Sequence, residues 1–135
     1  MKKVNEYIRE ELNEKVSVYE FDKEVVYDDV SDILDFFELN GVKVKEGAIS
    51  GYDDEDNSLF QGFDNANSIR YFSTDDSSIE KLSILCEINK ISFWVTIDYY
   101  RQLVGVFSRV QDNLDNLNLE SLLLQIEKLG REKTK

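Results

Sequence analysis

The stretch of residues 82–110 constrains the fold of this 135-residue chain more strongly than any other segment. Apolar side chains alternate with polar ones in three successive runs, and the pairs Asn89-Lys90 and Arg101-Gln102 separate the runs. Alternation with a period of two is typical of strands that bury one face, and short polar pairs are typical of turns. The pattern therefore predicts an antiparallel three-strand meander at about residues 82–110.

Helical periodicity predicts an N-terminal, a middle and a C-terminal helix, because apolar residues recur there three or four positions apart. The first covers residues 3–14. The second begins after a capping aspartate and ends at Asn40-Gly41, and the third covers residues 114–129. A helix at residues 78–88 is an alternative to the first strand of the meander, since the apolar residues of that segment also fit helical spacing.

Shorter alternating runs at residues 16–21 and 42–45 predict two further strands. The stretch 47–67 contains glycines and an acidic run, and we interpret it as either a long loop or a strand pair joined by an acidic tip. Helices combined with antiparallel strands indicate the α+β class. We therefore expect one acidic domain spanning residues 1–135, in which a single antiparallel sheet carries the three helices.

The composition removes several classes of catalytic site. The chain has no histidine and one cysteine, Cys86, which lies in an apolar alternating run and is expected to be a buried core thiol. Ser–His–Asp and Cys–His nucleophiles, histidine-ligated zinc and thiolate clusters therefore each lack an essential group. No glycine-rich phosphate-binding loop occurs either. We expect no enzyme activity and no cofactor.

Carboxylates remain as possible metal ligands. The run Asp53–Asn57 resembles the start of an EF-hand calcium loop. However, Ser58 stands where that loop needs glycine, and Asp64 stands where it needs a bidentate glutamate. We therefore expect no metal site.

The sequence favours a cytoplasmic location. A single cysteine cannot form an internal disulfide, which favours a reducing compartment. No apolar segment reaches the ~18–20 residues that a membrane span requires. The residues after Met1 are charged rather than continuously apolar, so they do not predict a secretory signal. We expect no membrane association.

Acidic residues concentrate between Glu20 and Asp64. That window holds 14 acidic and 3 basic residues. Its net charge of −11 accounts for nearly all of the chain's net charge of −12. Charge of one sign concentrated in this way predicts a positively charged protein partner. The same charge repels a polyanion, so we expect no direct binding to nucleic acid.

Two parts of this window are candidate contact surfaces. On the predicted middle helix, carboxylates fall on the face opposite the apolar stripe, and no basic residue lies nearby in the sequence. The acidic run that follows has aromatic neighbours, and aromatic side chains commonly anchor protein–protein contacts. The candidate partner-binding residues are Asp28, Asp29, Asp32, Asp35, Glu38, Tyr52, Asp53, Asp54, Glu55, Asp56 and Phe60.

These features favour a cytosolic inhibitor or immunity-type protein that neutralises a basic partner. The favoured partner is a nuclease-like bacterial toxin domain, whose active site the carboxylates would mask. One alternative is a phage- or plasmid-encoded DNA mimic that inhibits a nucleic-acid-binding protein. Two further alternatives are a magnesium- or calcium-dependent carboxylate enzyme, and a regulatory or scaffold domain whose acidity serves only solubility.

Overall fold

The computed structural model describes residues 1–26, 31–53, 58–64, 77–112, 114, 117–129 and 131–132. Its strands are β1 (Lys2–Arg9), β2 (Glu14–Glu20), β3 (Val25–Val26), β4 (Lys43–Asp53), β5 (Ser58–Phe63), β6 (Ser77–Ile88), β7 (Ile91–Asp98), β8 (Leu103–Arg109) and β9 (Arg131–Glu132). Its helices are α1 (Ser31–Leu39) and α2 (Leu119–Leu129). Seven strands form one antiparallel sheet in the order β1-β2-β8-β7-β6-β4-β5, and β3 pairs with β9 separately. The α+β class is therefore confirmed.

The three strands expected at about residues 82–110 make up only part of this sheet. β6, β7 and β8 are successive antiparallel neighbours, but four other strands extend the sheet on both sides. β6 already begins at Ser77, so residues 78–88 form a strand and not a helix. Residues 47–52 pair with residues 58–63, so the strand pair, and not the long loop, describes this part of the acidic window.

The N-terminal helix expected at residues 3–14 is wrong. These residues form β1, a short 3-10 turn at Glu10–Leu12 and the start of β2, and β1 runs antiparallel to β2. Every residue of β1 is exposed, including Val4 and Ile8, so the apolar residues that suggested a helix bury no stripe. Backbone hydrogen bonds to β2 hold β1 in the sheet, because pairing satisfies its N–H and C=O groups along one edge.

Both helices pack on one face of the sheet, and the core lies between them and the strands. α1 buries Ile33, Leu34 and Phe37. α2 places its own apolar stripe in the same cluster. The middle and C-terminal helices are therefore present, but the C-terminal helix begins at Leu119 and not at residue 114. The central strands contribute alternate residues to this core: Leu82, Ile84 and Cys86 from β6, Phe93, Val95 and Ile97 from β7, and Val104 and Val106 from β8.

The other side of the sheet, which we call the open face, has no helix over it in the part of the chain that the structure describes. Residues that pair directly across the strands form an apolar and aromatic row on this face: Tyr7, Val16, Phe107, Trp94 and Leu85. Val16 is only 1% exposed although it lies outside the helix-side core. Its neighbours in the row, Tyr7 and Phe107, shield it from solvent, because side chains of paired residues stand side by side.

Candidate functional site

α1 carries the part of the expected contact surface that the structure describes best. Its buried residues occupy one side of the helix, at Ile33, Leu34 and Phe37. The carboxylates occupy the opposite side, because their positions fall between those of the apolar stripe at 3.6 residues per turn. Three of the expected contact residues are therefore exposed together: Asp32, Asp35 and Glu38.

Local sequence explains where this helix stops. Gly41 adopts φ +78, a left-handed conformation that commonly ends a helix, and its N–H donates to the Glu38 carbonyl at 3.1 Å. The Asn40 side chain also donates to the Phe36 carbonyl at 2.8 Å. These contacts satisfy carbonyls at the end of α1, so the acidic side of the helix stands on a defined, capped element.

Leu39 adds an apolar side chain to this acidic side. It is the last residue of α1 and is 86% exposed. It lies four positions after Asp35 and next to Glu38, so it shares their side of the helix. We call Asp32, Asp35, Glu38 and Leu39 the acidic helix surface. Sequence analysis missed Leu39, and the available signal was that it falls outside the buried apolar stripe.

Phe60 does not join the acidic helix surface. It lies on the edge strand β5 and is 76% exposed. It pairs with Ser50, which pairs in turn with Lys81 on β6. This register places Phe60 on the open face, whereas α1 packs on the opposite face of the sheet.

Of the remaining expected contact residues, two lie far from α1, and the others are not among the residues that the structure describes. Tyr52 and Asp53 lie at the far end of β4, whose beginning follows α1. The 11 residues of β4 span roughly 35 Å, so Asp53 lies far from the end of α1. The expected single site is therefore divided between α1 and the β4–β5 strand pair. Five expected contact residues lie outside the described part of the chain: Asp28, Asp29, Asp54, Glu55 and Asp56.

The one cysteine of the chain, Cys86, is not accessible as a nucleophile. Cys86 is fully buried in β6, and burial raises the pKa of its thiol. A thiol with a raised pKa forms little of the reactive thiolate at neutral pH. Among the described residues, no group of three or more histidine, cysteine, aspartate or glutamate side chains is placed to hold a metal ion.

Comparison with protein-family models, with curated proteins and with solved structures found no match to this chain. Neither described helix has the length and apolar character that crossing a membrane requires. The functional argument therefore depends on the charge, exposure and position of the chain's own residues.

Proposed function

We propose that this chain is an inhibitor or immunity-type protein that binds a basic protein partner through the acidic helix surface. One observation carries the proposal: three carboxylates and an exposed leucine share one side of a helix whose other side is buried in the core. An apolar anchor surrounded by charges of one sign suits a protein contact, because the anchor supplies affinity and the charges supply steering.

The energetics of α1 support a role in binding. Carboxylates three or four positions apart on one side of a helix lie close together, so one cationic partner would be attracted to all of them. Because the buried stripe already fixes α1, binding would order little additional backbone, which lowers the entropic cost of association. The net charge of −12 would also accelerate the encounter with a basic partner.

The partner class that fits best is an enzyme that acts on nucleic acid. Such an enzyme lines its active site with lysine and arginine to bind phosphates. Carboxylates on adjacent helical turns stand ~5–6 Å apart, close enough for several to contact one cationic cluster. A nuclease-like toxin domain meets this description, and its inhibitor would act in the cytoplasm, where the toxin reaches its substrate.

A DNA mimic is the second candidate, and the length of β4 favours it. This strand carries two acidic residues, the exposed Glu46 near its start and Asp53 at its end. The strand covers roughly 35 Å, which corresponds to about ten base pairs of duplex. A mimic of DNA would spread its carboxylates over such a length, whereas a plug for one active site would use α1 alone.

Affinity capture with matched charge variants tests the proposal. Asp32→Lys combined with Asp35→Lys reverses two charges of the acidic helix surface. Glu10→Lys combined with Glu11→Lys makes the same change in net charge in the exposed 3-10 turn beside β1, at the opposite edge of the sheet from β4. Each protein is immobilised and exposed to lysate of its source cell, and retained proteins are eluted with a salt gradient.

We expect wild type and the Glu10/Glu11 variant to retain the same basic protein, and the Asp32/Asp35 variant to lose it. Thermal unfolding of all three proteins serves as the folding control. Expression of the captured protein should arrest growth, and co-expression of wild type should restore it. Capture that is unaffected by the Asp32/Asp35 change would contradict the proposal. Release of the partner by duplex DNA would favour the mimic.

A further inference from the structure

A cavity of about 510 Å³ lies on the helix side of the sheet, between β1, β2, β8 and the start of α2. Ser17, Ser108 and Lys15 line the cavity from β2 and β8. They lie on the face of the sheet on which the central strands carry large apolar residues. Lys15 pairs with Ser108, and Ser17 pairs with Val106, so these side chains stand together on two neighbouring strands. The two serines are small, so they leave space that the helices do not fill.

Ser108 is the buried polar group of this cavity. Its residue is only 6% exposed, and its side chain lines the cavity. The Ser108 hydroxyl is not among the fully enclosed side-chain atoms that lack a hydrogen-bond partner, so solvent in the cavity can reach it. A polar ligand in the cavity would replace this solvent contact with a direct hydrogen bond.

The start of α2 supplies further donors. The Asn118 carbonyl accepts hydrogen bonds from the N–H groups of Ser121 and Leu122 at 3.1 and 3.2 Å. The N–H groups of Leu119 and Glu120 come before these and have no acceptor within the helix. Both residues line the cavity. The start of an 11-residue helix therefore offers backbone donors and a partial positive charge to an anionic group.

Side chains of both charges line the same cavity. Lys3 and Lys15 supply ammonium groups, and Asp112 and Glu120 supply carboxylates. At the rim, the exposed Glu6 holds both lysines, with its oxygens 3.5 Å from Lys3 Nζ and 2.7 Å from Lys15 Nζ. The hydrogen bond from Lys15 is the main cause that lowers the pKa of the Glu6 carboxyl.

We propose that this cavity binds a small zwitterion, a free amino acid or a dipeptide. The ligand carboxylate would accept hydrogen bonds from the start of α2 and compete with Glu6 for the lysines. The ligand ammonium would pair with Glu120 or Asp112, and the Ser108 hydroxyl would bond to the ligand. Phosphate has no cationic group to pair with the carboxylates of Glu120 and Asp112, so they would repel it. The volume falls within the ~300–1,000 Å³ of small-molecule sites.

The test is an NMR titration of the ¹⁵N-labelled full chain. The probes are the twenty amino acids, a panel of dipeptides and inorganic phosphate, each added separately up to ~10 mM. We expect at least one amino acid or dipeptide to shift the amide signals of Ser108, Leu119 and Glu120 in a saturable way. Phosphate should bind these residues more weakly. The proposal is overturned if none of the zwitterions shifts these signals, or if phosphate binds more tightly.

Variants distinguish this cavity from nonspecific binding. Ser108→Ala should weaken binding of the best probe roughly five- to ten-fold, the effect of losing one hydrogen bond. Glu6→Gln should strengthen binding, because the lysines lose their competing carboxylate. Lys81→Gln on the open face should leave binding unchanged. Unchanged binding in both the Ser108 and the Glu6 variants would contradict the proposal. The acidic helix surface takes no part in this cavity, so the two proposals fail independently.

Discussion

The buried carboxylate of Glu127 joins α2 to the chain segment that follows β2. Its Oε1 accepts a hydrogen bond from the backbone N–H of Asp22 at 3.2 Å, across 105 positions of sequence. Its Oε2 lies 3.1 Å from the Met1 ammonium group as an ion pair. Glu127 is only 8% exposed, so it holds these groups where water cannot readily replace it. A charged side chain on the buried stripe of α2 therefore has a structural role.

Glu127→Leu should destabilise the fold by about 1–3 kcal/mol, because it leaves the Asp22 amide without its acceptor. It also removes one of the two carboxylates that pair with the Met1 ammonium, and Asp22 supplies the other. Glu127→Gln keeps an oxygen for the Asp22 amide and should cost less. Urea unfolding followed by circular dichroism measures both free energies. Wild-type stability in the leucine variant would show that the contact contributes nothing.

Gly47→Ala should destabilise the sheet by about 1–3 kcal/mol through overpacking. A Cβ atom at Gly47 would lie 2.7 Å from Phe63 Cζ and would also collide with the backbone carbonyl of Ser83 on β6. The matched control is Gly62→Ala on β5, where the nearest atom would be 3.8 Å from the new Cβ. Thermal unfolding should show a clear loss for Gly47→Ala and little change for Gly62→Ala. Equal effects of the two substitutions would contradict the packing described for β4.

Cys86 should resist thiol reagents as long as the protein is folded. Its side chain is fully buried, and burial raises the pKa of the thiol above its ordinary value. At pH 8 the thiolate fraction is therefore lower than that of an exposed cysteine, and access is blocked as well. Ellman's reagent should react at once in urea and only at the rate of unfolding in native buffer. Complete reaction within minutes, with the circular dichroism spectrum unchanged, would contradict this burial.

Local periodicity was sufficient to predict α1 and α2, because each buries an apolar stripe repeated along its own sequence. The same reasoning failed at residues 3–14. The apolar residues there have helical spacing, but Val4 and Ile8 are exposed in β1, and pairing with β2 determines the conformation. Hydrogen bonding between strands is not visible in the periodicity of one segment.

The acidic helix surface could be predicted in part for the same local reason. The side of a helix on which Asp32 and Glu38 lie follows from their positions alone. The placement of Phe60 could not be predicted, because its face depends on the pairing of β5 with β4 and of β4 with β6. Register shifts in β4, between Val44 and Glu46 and between Ser50 and Gly51, alter the alternation that sequence would extrapolate.

The central claim is that the acidic helix surface binds a basic protein. The most direct measurement is the dissociation constant of the captured partner at 150 mM NaCl, by titration calorimetry, for wild type and the two charge-reversal variants. We expect the Asp32/Asp35 variant to lose about 100-fold or more in affinity, because it places two like charges against the partner's cations. The Glu10/Glu11 variant should stay within about three-fold of wild type, because its charges lie beyond the ~8 Å Debye length from the contact. Equal affinities of wild type and the Asp32/Asp35 variant, or equal losses in both variants, would contradict the account.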